Sequence, residues 1–159
     1  MTFSASVKEE LEGIISPARH CQIAELAAMF AFGGEIKYGA EKRLSLHFLA
    51  ENESVARKYF TLLEKTFRIS KVFSIEDVLY RKNNKYVVDI PSEDEAVRIL
   101  QAMKYLSQDR MPITFNGLVN PLIIQKNCCK RAFLRGAFLC AGSISDPEKF
   151  YHFEIVCTS

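Results

Sequence analysis

The sequence predicts an α+β protein built from two related half-domains. Three observations lead there: a helix-to-strand unit occurs twice, apolar spacing alternates between helical and strand periods, and polar turns separate pairs of short β-prone segments. The two copies occupy residues 21–36 and 129–144. At one constant offset they share Cys21/Cys129, Ala24/Ala132, Leu26/Leu134, Phe30/Phe138, Gly34/Gly142 and Ile36/Ile144. A unit of this length is a duplicated half-domain, not a short-period solenoid.

Within each copy, Leu26 and Phe30, or Leu134 and Phe138, stand one turn apart on an apolar face. Ala24, Ala28 and Ala31, answered by Ala132 and Gly136, keep a second stripe small enough for close backbone approach. The halves are therefore expected to meet along these helices. Gly34 and Gly142 are expected to cap them, with a strand following directly.

The remaining elements follow from local signals. Ser6 with Glu9 forms a capping-box pair for a first amphipathic helix carrying Val7, Leu11, Ile14 and Ile15, and Pro17 closes it. After the first repeat helix, segment 34–38 pairs with segment 43–49, where Leu44, Leu46 and Phe48 alternate with Ser45 and His47, across a turn containing Gly39. Asn52 caps a helix running to about Phe67, with Val55, Tyr59, Leu62, Leu63 and Phe67 as its buried stripe. Segments 72–80 and 86–90 are rich in β-branched and aromatic residues and form a second hairpin around the turn-prone run 81–85. Pro91, Ser92, Glu93 and Asp94 open another helix that buries Ala96, Val97, Leu100 and Met103.

Residues 1–110 thus hold the opening helix and a complete first half. Residues 111–126 form a linker marked by Pro112, Gly117 and Pro121, and 127–159 begin the second half. Its last segment, 150–157, alternates Tyr151, Phe153, Ile155 and Cys157 against His152, Glu154 and Val156 and reads as a strand. A strand with an open edge recruits pairing from another chain, so self-association is expected.

The stretches Leu-Ala-Ala-Met-Phe-Ala-Phe-Gly-Gly (26–34) and Leu-Arg-Gly-Ala-Phe-Leu-Cys-Ala-Gly (134–142) resemble the paired LAGLIDADG helices of homing endonucleases. Residues 128–156 are similar to the signature stretch of the bacterial WhiA regulators, and so are Ser-Val-Lys-Glu-Glu-Leu (6–11) and Ala-Glu-Asn-Glu-Ser-Val-Ala-Arg (50–57). The resemblance implies a LAGLIDADG homing-endonuclease-like fold. It also implies a transcription regulator linked to sporulation and cell division, with a carboxy-terminal helix-turn-helix domain. The chain stops at Ser159, so the expectation is a fragment with a truncated second half and without that domain.

A nuclease of this kind carries a carboxylate immediately before the terminal glycine of each helix, because two carboxylates hold the divalent ions that activate water. Gly33 and Ala141 stand there instead, and neither can ligate a metal. Glu35 lies two positions further on and reads as a solvated turn residue, its repeat mate being Ser143. The expectation is a catalytically inactive module. The active homing endonuclease is the disfavoured alternative.

Lys37, Lys42, Arg43, Arg81, Lys82 and Lys85 lie on or beside the two hairpins. In the resembled fold the hairpins form a saddle in the major groove, which makes these residues candidate phosphate contacts on double-stranded DNA. Hairpin turns are also lysine-rich for solubility and edge protection, and Glu41, Glu76, Asp77 and Asp89 dilute the positive field. Both readings stay open. A scaffold for a protein partner or small ligand, with DNA left to the missing domain, is the other alternative.

A formal net charge of +2 does not argue for nucleic acid by itself, so weak binding by this chain alone is expected. At 159 residues with 48% hydrophobic content the chain can bury one substantial core, and its apolar runs are too short to span a bilayer. Its amino terminus lacks the apolar core of a signal peptide, and five cysteines do not make an even disulfide framework. A cytoplasmic, nucleoid-associated location with reduced thiols is expected, with no membrane partner. The sequence holds no Ser-His-Asp order, phosphate-binding glycine loop or dinucleotide fingerprint, and no cofactor is expected. His20, His47, His152, Cys21, Cys128 and Cys129 lack metal-finger spacing and are read chiefly as ordinary polar and small apolar residues. The duplication, however, would let His20-Cys21 and Cys128-Cys129 approach each other at the starts of the paired helices.

Overall fold

The computed structural model describes residues 2–157, so the expected boundaries at Met1 and Ser159 lie outside the described residues. Its elements are α1 (Phe3–Glu12), α2 (Arg19–Gly33), β1 (Gly34–Tyr38), β2 (Leu44–Ala50), α3 (Glu53–Phe67), α4 (Ile75–Val78), β3 (Leu79–Lys82), β4 (Lys85–Ile90), α5 (Glu93–Ala102), α6 (Asn127–Ala141), β5 (Gly142–Ile144) and β6 (Phe153–Ile155). The class is α+β, as expected. The first half carries an antiparallel sheet in the order β1-β2-β4-β3, and the second half carries the β5-β6 pair.

Alternation fixes which sheet face is covered. Leu46, Phe48, Val88 and Ile90 point inward and join Met29, Leu62, Leu63 and Leu100 in one continuous core. The Phe48 ring stacks on Tyr59 of α3, with centroids 4.0 Å apart and planes within 6°. Residues 35, 37, 45, 47 and 49 occupy the opposite phase, so they form the outer face.

Three expectations need correction. The cap of α1 is Thr2, whose hydroxyl accepts from Ala5 N, so the helix starts before the expected Ser6 box and ends at Glu12, ahead of Pro17. Segment 72–80 is not one strand: Ser74 and Asp77 form a capping box that starts the short helix α4, and extended structure begins only at Leu79. Of the β-branched residues there, Val78 is packed into the core and Ile75 is half-buried, whereas Val72 is exposed. Segment 150–157 is extended as a paired strand only over β6, matching the three residues of β5.

Gly34 and Gly142 cap α2 and α6 with a strand following directly, as expected. Neither is left-handed; both are extended, at φ −91° and −96°. A Cβ at Gly34 would land 2.3 Å from the Phe30 ring, and one at Gly142 would land 2.2 Å from the Phe138 ring. In both halves, therefore, the phenylalanine one turn back lies over the glycine. The chain passes from helix to strand without a loop because a glycine there leaves that space to the ring.

Both hairpin turns lie where expected, and their left-handed residues are not glycines. Asn83 and Asn84 have φ of 53° and 64°, the two-residue left-handed turn that matches strand twist. In the β1–β2 turn the left-handed residues are Glu41 and Lys42, while Gly39 is extended. Segment 111–126 joins the halves but is no free tether. It buries Val119 and Ile123, and Asn120 donates to the Lys104 carbonyl while accepting from Leu122 N.

Candidate functional site

The two repeat helices, α2 and α6, pack side by side, and their small residues set the spacing. Ala24, Ala28 and Ala132 are fully enclosed, and Ala31 is half-buried at the margin. At Gly136 an added Cβ would lie 2.5 Å from the Glu25 carbonyl oxygen and 3.1 Å from the Ala28 Cβ. Since Gly136 and Ala28 are repeat mates, this contact lies on the pseudo-two-fold axis.

Beside it lies a buried ionic cluster that sequence reasoning missed. Glu25 of α2 accepts from Arg135 Nε of α6 at 3.0 Å, and Lys58 Nζ of α3 stands 3.1 Å from Glu25 Oε2. Lys58 directs hydrogen bonds to the carbonyls of Leu11, in the last turn of α1 at 2.7 Å, and Ile14, just beyond that helix. Burial pulls the Lys58 pKa down, and the Glu25 carboxylate opposes that shift. The signal was present in the sequence: Glu25 is the only carboxylate in α2, a helix otherwise apolar through its middle.

At the other end of these helices a cleft of about 590 Å³ opens at the helix feet, lined by Gly33, Gly34, Glu35, Glu51, Lys85 and Cys140, among others. Lys8 of α1 also lines it, half-turned under the Phe138 ring at 5.5 Å. Burial lowers the Lys8 pKa, and burial pushes the Cys140 thiol up to about 12. The residues present do not fit the paired divalent ions of a LAGLIDADG nuclease. Position 33 has no room even for a methyl group, because a Cβ there would lie 2.7 Å from the Leu49 carbonyl oxygen and 2.8 Å from the Phe48 ring. Glu35 is solvated, as expected, but belongs to strand β1, not to a turn.

The six basic residues do not share one surface. Lys37 and Lys82 border a shallow groove on the outer sheet face together with Glu35, His47 and Tyr80. Lys85 lies in the same phase at the cleft end. Lys42 and Arg43 sit at the opposite end of the sheet, in the turn beside the start of α5, where Arg43 pairs with Glu41 at 3.7 Å. Arg81 occupies the inward phase at the sheet margin and lies over the Tyr86 ring at 5.7 Å. On the outer face Asp89 is already engaged, accepting from the Tyr80 hydroxyl at 2.6 Å and pairing with His47 Nδ1.

At the starts of α2 and α6 the structure brings together His20, Cys21, Cys128 and Cys129, whose donor atoms all lie within 4.8 Å of one another. His20 Nδ1 is 3.2 Å from the Cys129 sulfur, 3.4 Å from that of Cys21 and 3.9 Å from that of Cys128. Burial pushes the Cys21 thiol up to about 11, while a hydrogen bond from Cys21 holds Cys128, at the exposed edge, below the usual thiol range. The wide sequence separation hid this cluster from any spacing rule. Only the duplication hinted at it.

No helix among the described residues is long and apolar enough to cross a membrane. Comparison with known proteins adds the family context. The family models described as the WhiA N-terminal LAGLIDADG-like domain and the WhiA LAGLIDADG-like domain match residues 19–106 and 130–159. A probable cell division protein WhiA of Desulforamulus reducens is 40% identical over 157 residues, covering 98% of this chain and 48% of the relative. Its counterpart in Lachnoclostridium phytofermentans is 42% identical over 156 residues, covering 98% and 50%. The chain spans about half the length of the curated relatives it matches. The crystal structure of full-length WhiA from Thermatoga maritima superposes with a TM-score of 0.62 at 24% identity, over 98% of this chain and 44% of that one. At that identity the superposition speaks for the fold.

Proposed function

The chain belongs to the WhiA LAGLIDADG-like domain family, and from that premise we propose that it is a module of a transcription regulator of cell division and sporulation that holds duplex DNA without cutting it. Gly33 carries the non-cutting half of this reading. A metal-binding carboxylate at the foot of α2 would have to displace the β2 backbone at Leu49, and the ammonium of Lys8 lines the cleft where divalent ions would need negative ligands.

The DNA-holding half is supported by the outer sheet face. Its strands are paired, and Lys37, Lys82 and Lys85 project from it without a carboxylate partner among the described residues. Glu35 and Asp89 lie among them, so contacts with phosphate are few and affinity is weak without a further DNA-reading domain. Lys42 and Arg43 stand apart from it in the turn at the opposite end of the sheet, where Arg43 is paired with Glu41. Arg81, in the inward phase, is the weakest candidate.

Binding of this chain to duplex DNA across a salt series tests the reading. Each phosphate contact contributes about −0.9 to the log-log slope, so Lys37→Glu with Lys82→Glu and Lys85→Glu flattens the slope by about 2 to 3. Added magnesium or manganese yields intact DNA. An unchanged slope in the triple variant would move DNA contact off this face and favour a scaffold for a protein partner; site-specific nicking by the pure chain would overturn the inactive assignment.

A further inference from the structure

We propose that His20, Cys21, Cys128 and Cys129 form a closed Cys3His site for Zn2+ that clamps the amino ends of α2 and α6 together. This site is distinct from the helix-foot cleft and does not depend on how the chain meets DNA.

The geometry matches the ion. With Zn–S about 2.3 Å and Zn–N about 2.0–2.1 Å, a tetrahedron needs N···S separations of about 3.6 Å and S···S separations of about 3.8 Å. His20 Nδ1 already faces the three sulfurs at 3.2, 3.4 and 3.9 Å, and the whole donor set lies within 4.8 Å. The contacts to His20 need to change by only a few tenths of an ångström, and the widest separation in the set, at up to 4.8 Å, closes to a tetrahedral edge by about 1 Å through side-chain rotation. Cysteines buried merely as small apolar groups would not direct an imidazole nitrogen at all three sulfurs. Four protein ligands leave no open position, so the site is structural. Soft thiolates with one imidazole select zinc over magnesium, calcium or manganese.

The surroundings suit the charge. On binding, three thiols lose their protons to solvent and the neutral imidazole keeps its other ring proton, so the bound site carries a net charge of −1. Both helices start there, and neither cap residue, Ala18 or Lys126, supplies a side-chain hydrogen bond to the free N–H groups. Cys21 and Cys129 each occupy the third helical position, and Cys128 the second, so thiolates meet two positive helix ends. Lys126 adds a further positive charge beside Cys128. Because His20/Cys128 and Cys21/Cys129 are repeat mates, the ion would lie on the pseudo-two-fold axis. Zinc would therefore tie together two segments that are distant in sequence.

The test uses the whole chain purified under a non-thiol reductant without chelator. Elemental analysis is expected to give about one zinc per chain, and cobalt exchange a thiolate charge-transfer band with the intense visible bands of a tetrahedral site. Zinc at a thousand times its Kd raises Tm by roughly 8 to 16 °C over the stripped protein. Cys128→Ser, at the exposed edge, is expected to lose the charge-transfer intensity and most of the Tm rise, while Cys157→Ser keeps both. If Cys128→Ser fails to fold, the wild-type stoichiometry and cobalt spectrum decide alone. A metal-free chain with an octahedral cobalt spectrum and no Tm response overturns the site. A disulfide among Cys21, Cys128 and Cys129 in the protein isolated without reductant, with no zinc bound after reduction, overturns it in favour of a redox role.

Discussion

Glu25 is the residue on which the packing of four helices converges. It is fully buried, faces Lys58 and Arg135, and through Lys58 reaches carbonyls at and just beyond the end of α1. A buried ion cluster adds little net stability relative to apolar residues of equal volume, because desolvation offsets the attraction. Removing one member alone is different, since it leaves an uncompensated charge in a dry site. Glu25→Gln is therefore expected to destabilise the chain by about 3 to 5 kcal/mol in urea unfolding. Adding Lys58→Met to that variant should recover part of the loss, because it removes one stranded cation. A single variant within 1 kcal/mol of the wild type would show that Lys58 and Arg135 find solvent once Glu25 is neutral.

At the scale of elements, the spacing of α2 against α6 is set by one missing methyl group. An added Cβ at Gly136 would lie 2.5 Å from a backbone oxygen of the facing helix, where no side-chain rotation relieves it. Gly136→Ala, although it raises helix propensity, is expected to lower stability by about 1 to 3 kcal/mol through overpacking. The larger Gly136→Leu should cost more. Wild-type melting of the alanine variant would mean that the two helices separate freely, and the central-helix interface would lose its basis. The helix-to-strand junctions obey the same logic, since the Phe30 and Phe138 rings occupy the space beside Gly34 and Gly142.

At the scale of the whole molecule, the two halves are unequally covered. The first sheet has a helical layer on its inner face, whereas β5 and β6 form a two-stranded sheet held by α6 and α1. The outer edge of β5 is closed by Ser4, whose hydroxyl both donates to the Ile144 carbonyl at 2.9 Å and accepts from Ile144 N at 2.8 Å. β6 has no such cover among the described residues; its own Phe153 and the nearby Tyr151 are 62% and 90% exposed. We propose that the isolated chain self-associates through this edge. Light scattering over a concentration series is expected to show mass above the monomer, abolished by Phe153→Lys. Strict monomers at high concentration would refute it.

The sequence by itself determined the α+β class, the duplication, the pairing of α2 with α6, the first hairpin and the absence of metal-binding carboxylates at Gly33 and Ala141, because periodicity and a repeat are local or self-referential signals. It misplaced the start of α1 and read α4 as strand, since β-branched residues mark burial as readily as extension and the Ser74–Asp77 cap outweighs them. Only the tertiary structure decided the rest. The phase that separates Arg81 from Lys37 and Lys82, the meeting of Glu25, Lys58 and Arg135, and the closing of His20 and Cys21 on Cys128 and Cys129 each depend on which helix faces which. Packing of three-dimensional surfaces sets that choice, and beyond the repeat that pairs α2 with α6 no spacing along the chain encodes it.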